Sequence, residues 1–107
     1  MPDQDHAGFI ARERPGDAIP WLEKACEWDP SAGRTWRLLG LARGLAGDQE
    51  GAIAAFAEGT RQAPDDAALW FALGAMQQQA GYGRPALQRA AELGHAKARQ
   101  RLDATRR

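Results

Sequence analysis

One stretch of this chain occurs twice, 34 residues apart. Trp36, Leu39 and Gly40 return as Trp70, Leu73 and Gly74. Ala52 returns as Ala86 and is anticipated by Ala18, while Phe56 and Pro64 are anticipated by Leu22 and Pro30. A period of this length, with an aromatic, a leucine and a glycine, then an alanine and a large apolar residue, then a proline, marks a helix–turn–helix unit. One such unit cannot bury its own apolar face. It is covered only when the next unit stacks on it. The recurrence therefore constrains the chain to a row of helical hairpins.

Composition agrees. The chain has 107 residues with 23 Ala, no Val, three Ile and three Thr. Few β-branched residues and abundant alanine disfavour sheets and favour helices. Residues 17–28 read as a helix capped by Asp17, with Pro20 in the first turn and Ala18, Leu22 and Ala25 on one face. Ile19, Cys26, Trp21 and Trp28 widen that face, and Pro30 ends it. Residues 33–46 follow with Ser31 as cap and Trp36, Leu39, Leu41 and Leu45 as apolar surface. Gly47-Asp48 is a turn and a cap for 49–62, where Ala52, Ile53, Phe56 and Gly59 point inward. An Asp after Pro64 caps 67–79, with Trp70, Leu73 and Met76 inward. Gly81-Tyr82-Gly83 leads to a helix over 84–93, with Pro85 in its first turn and Gly94 at its end. A last helix spans about 95–105. Residues 1–16 read as a truncated first helix, with Asp5 as cap and Phe9 and Ile10 as its apolar side.

The W-x2-L-G, A-x3-F and P positions resemble the tetratricopeptide repeat family over residues 17–93, in units of about 17–30, 33–64 and 67–93. The resemblance implies an all-α fold of antiparallel helical hairpins in a short right-handed α-solenoid. Ala90 to Ala98 runs into the final helix without a proline loop, which resembles the Sel1-like variant. That makes 95–107 a polar capping helix with a basic tail. In this family the first helix of each pair lines a concave groove for peptides or helices. Carried over, the groove is Arg34, Arg37, Leu41 and Leu45, followed by Ala68, Phe71, Ala75, Gln78 and Gln79. Two arginines beside a phenylalanine suit an acidic segment with one apolar anchor. Family members that bind chaperone tails hold a carboxylate with Lys and Asn. Arg37 stands where one such Lys does, but Leu41 and Ala72 replace the Asn residues.

Catalytic and cofactor chemistry find no constellation. His6 and His95 have no ligands at metal spacing. Cys26 lies on an apolar helix face with no activating base. Gly81-x-Gly83-x-x-Ala86 mimics a dinucleotide fingerprint, but it follows a helix rather than a strand. The expectation is a non-catalytic protein-interaction module without cofactor. No apolar run has the ~20 residues of a membrane span. The single cysteine and the acidic amino end, which does not read as a signal peptide, fit the cytoplasm. The Arg-over-Lys bias with high Ala and Gly suggests a GC-rich bacterial genome. Charge is segregated: residues 1–33 are net −4 and residues 80–107 net +5. The basic run Lys97, Arg99, Arg101, Arg106 and Arg107 is one candidate site, but no aromatic follows Tyr82 to stack on nucleic-acid bases. Nucleic acid bound through its phosphates stays a remote alternative for this run, beside an acidic protein, including the acidic end of another copy. Trp21 and Trp28 form a candidate self-association face, which makes homo-oligomerisation the alternative to groove binding.

Overall fold

The structure, a computed structural model, describes residues 15–104. Expectations for Asp5, His6, Phe9, Ile10, Arg106 and Arg107 lie outside the described residues. Six α-helices follow a 3-10 turn at Pro15–Ala18: α1 Ile19–Trp28, α2 Gly33–Leu45, α3 Gln49–Gln62, α4 Ala67–Gln79, α5 Arg84–Glu92 and α6 Ala96–Ala104. Among the described residues there is no strand. Each helix packs on the next, and α2 also touches α4, so the hairpins α2–α3 and α4–α5 stack side by side. The described chain measures 49 × 26 × 20 Å. This is a short helical solenoid with α1 at one pole and α6 at the other.

The 34-residue period reaches the individual hydrogen bonds. Trp36 Nε1 donates to the Pro30 carbonyl at 2.6 Å, and Trp70 Nε1 donates to the Pro64 carbonyl at 2.8 Å. The backbone repeats likewise: Ala32 N to Asp29 O recurs as Asp66 N to Ala63 O, and Trp36 N to Ala32 O as Trp70 N to Asp66 O. Each tryptophan thus ties its own helix to the proline loop that precedes it.

Two caps differ from expectation. Helix α2 starts after Ala32, which offers no side-chain acceptor, while Ser31 bonds Asp29 instead. The α1 cap position falls on Ala18, because the 3-10 turn takes up Asp17. Asp48 and Asp66 do cap α3 and α4, accepting from Gly51 N at 2.8 Å and Leu69 N at 3.2 Å. Gly47, at φ +92°, makes the sharp stop between α2 and α3 in a backbone region that side chains avoid.

Three buried clusters follow one another along the stack. The first joins Leu22, Cys26, Leu39 and Ala55; the second Phe56, Leu69, Leu73 and Ala86; the third Leu87, Ala90, Ala98 and Leu102. Trp36 packs against the first and second clusters, and Trp70 against the second and third. Both tryptophans are only half-buried, and so is Met76. They bridge the clusters, and Leu69, fully buried, is the α4 side chain that the 34-residue pattern passes over. Leu41 and Leu45 are exposed.

Close approach explains the recurring glycine. A Cβ on Gly40 would overlap the Phe56 ring, and one on Gly74 would sit 2.7 Å from Leu87 Cγ. Gly44 is different: its Cβ would meet the flexible Met76 Cε at 3.2 Å and Ala52 Cβ at an ordinary 3.7 Å. Alanine gains about 1 kcal/mol over glycine in a helix interior, whereas overpacking against a rigid ring costs roughly 1–3 kcal/mol. Gly40→Ala is therefore expected to destabilise by up to about 2 kcal/mol, and Gly44→Ala to be neutral or stabilising by up to about 1 kcal/mol. Urea denaturation of the two variants checks the opposite signs.

Candidate binding groove

Helices α2, α4 and α6 form one side of the stack. Their sequences segregate charge. Helices α2 and α4 contain no Asp or Glu, and α6 contains Asp103 alone. Arg34 is exposed and Arg37 half-buried, three residues apart on one face of α2. Among the described residues neither guanidinium has an ion-pair partner. Arg43, by contrast, donates to Glu23 Oε2 at 2.9 Å and to the Gly51 carbonyl at 3.1 Å, tying α1, α2 and α3 together.

Further along α2, Leu41 is 44% and Leu45 55% exposed. With Gly44, Phe56, Met76 and Gln79 they line a hollow of about 370 Å³. From Arg34 to Leu45 is on the order of 16 Å along the helix. The stripe thus runs from free positive charge to an open apolar hollow.

Of the nine expected groove residues, the structure brings Leu41, Leu45 and Gln79 together at this hollow. Ala68 and Ala75 are half-buried on α4. Phe71 and Gln78 face α6 and are already engaged there. The His95 ring stacks on Phe71, with centroids 4.4 Å apart and planes 13° apart. Arg101 lies over the same ring, 5.4 Å from its centroid, and its Nη1 donates to Gln78 Oε1 at 2.8 Å. His95 and Arg101 are thus absent from the expected groove, Arg101 entering the sequence reading only as part of the basic run. Nothing in the 34-residue spacing points to them, because the α5–α6 step is shorter than the repeat.

Cys26 is buried beneath an outer cleft of about 470 Å³ shared with Glu23, Glu27, Trp36 and Glu58. Burial pushes its thiol up to about 11, despite the Arg43 charge nearby, so it stays protonated at neutral pH and is a poor nucleophile. Hydrogen bonds from Gln62 and Arg61 hold the half-buried Glu58 carboxyl below its ordinary range. Among the described residues no three His, Cys, Asp or Glu side chains converge as a metal group, and no helix is long and apolar enough to cross a membrane.

The tetratricopeptide repeat family model matches residues 33–76. Over these residues the chain is similar to a tetratricopeptide repeat. The matched segment is α2, α3 and most of α4, so it contains both tryptophans, both α2 groove arginines and every residue of the apolar hollow except Gln79. Tetratricopeptide repeats generally serve as non-catalytic surfaces for binding proteins. The match stops short of α5 and α6, where the Sel1-like resemblance rests on the residues alone. A search of curated proteins finds no match to this chain.

Proposed function

We propose that the α2–α4–α6 face is a peptide-binding groove and that it takes an acidic segment carrying one large apolar side chain. One observation carries the reading: Arg34 and Arg37, without an ion pair among the described residues, stand on a face whose α2 and α4 helices carry no carboxylate, in line with the hollow at Leu41 and Leu45. Guanidinium–carboxylate pairs are charge-assisted and can be bidentate, so two acidic side chains or a chain terminus meet them well. An extended peptide advances about 3.3 Å per residue, so an anchor two to four residues from the acidic pair reaches the hollow. His95 and Arg101 close the α6 end of the face by holding Phe71. That moves the expected apolar anchor from Phe71 to the Leu41–Leu45 hollow.

The test is fluorescence anisotropy with labelled peptides bearing two Glu and one Leu at varied spacing. The Arg34→Glu/Arg37→Glu variant is expected to weaken binding at least about tenfold, the equivalent of 1.4 kcal/mol. Leu41→Asp should do the same with an unchanged melting curve, since Leu41 is exposed. Equal binding by the charge-reversed variant and the parent would overturn the reading.

A further inference from the structure

The long axis of the molecule separates opposite charges. At the α1 pole, residues 15–33 carry four carboxylates, Asp17, Glu23, Glu27 and Asp29, against Lys24 alone. At the other pole, residues 80–104 carry five cations against Glu92 and Asp103. Pairing inside each pole leaves a surplus. Glu23 is taken by Arg43 and Arg89 by Glu92, while Glu27, Lys97 and Arg99 form no ion pair among the described residues. Shape follows charge. Trp28, between Glu27 and Asp29, is 91% exposed at the end of α1. At the far pole, α5 and α6 enclose a hollow of about 350 Å³ lined by Ala91, the edge of Leu102, Arg84 and Arg99, together with Asp103 and with Glu92, whose charge Arg89 already meets.

From this complementarity we infer that copies of the chain associate head to tail, the acidic α1 pole of one copy seating on the basic α5–α6 pole of the next. The Trp28 indole enters the hollow, where a guanidinium covers its face, and Glu27 pairs with Arg99. The two surfaces differ, so the contact is heterologous and repeats along a line rather than closing as a symmetric pair. It uses the ends of the stack and leaves the α2–α4 groove open, so it stands independently of the proposed peptide site.

Sedimentation velocity of the whole chain over a range of concentrations tests this. The average mass should rise with concentration at about 0.05 M salt and fall back towards monomer at about 0.5 M, where charges are screened within roughly 4 Å. Trp28→Ala should shift association to at least tenfold higher concentration; at its exposure it leaves the fold untouched. Glu27→Arg sets like charges against each other at the junction, and so does Arg99→Glu. Each variant alone should therefore remain monomeric, and an equimolar mixture should associate again, because the two reversals restore an opposite-charge pair at every junction. A parent that stays monomeric at every concentration overturns the inference, as does a discrete dimer insensitive to both charge reversals.

Discussion

Replacing Phe56 by alanine is expected to lower the unfolding free energy by about 3–5 kcal/mol. The ring is 4% exposed and sits against the bare backbone of Gly40. It belongs to the middle cluster with Leu69, Leu73 and Ala86, so its loss opens a void shared by α3, α4 and α5. Gly40 has no side chain to move into that void. Collapse would require α2 and α3 to approach further, and neighbouring contacts already fix their spacing. Domains of this size hold only about 5–15 kcal/mol in total. Thermal and urea denaturation followed by helical circular dichroism should place the variant far below the parent. A midpoint within a degree or two of the parent would mean that the ring does not support the stack.

Trp70→Ala is expected to cost about 3 kcal/mol, the low end of the range for a large aromatic because Trp70 is half-buried. Its distinguishing consequence is where the damage falls. Trp70 packs on both the second and the third clusters, so its removal uncouples α5 and α6 from the rest. Backbone amides of α5 and α6 should exchange with solvent well before those of α2 and α3. Trp70→Phe separates two contributions. It keeps most of the ring contact but loses the bond to the Pro64 carbonyl, and is expected to cost roughly 1 kcal/mol. Equal losses for Ala and Phe would assign the whole effect to that one bond.

The helices were legible because their punctuation is local. Asp48 and Asp66 cap, Gly47 and Gly94 stop, and Pro20 and Pro85 start turns, each through its own backbone chemistry. Where a cap depended on a neighbour, reading failed: Ser31 turned to Asp29, so α2 begins without a side-chain cap. The repeating glycine was legible as close approach, but the identity of the intruder was not, since Phe56 and Leu87 come from other helices. Periodicity also placed Leu41 and Leu45 among the apolar surface without saying that they stay open. The engagement of Phe71 by His95 and Arg101 depends on where α6 lies in space. No spacing along the chain encodes that position once the 34-residue step is broken.

The indole tethers also divide the connections into two kinds. Pro30 and Pro64 are each gripped by a ring six residues onward, so added length there would tear the tryptophan from its carbonyl. The bend at Gly81-Tyr82 has an exposed tip, with open space around Gly81 and no such grip. A peptide tag or a fluorescent graft belongs at that bend, where the stack can carry cargo without noticing it.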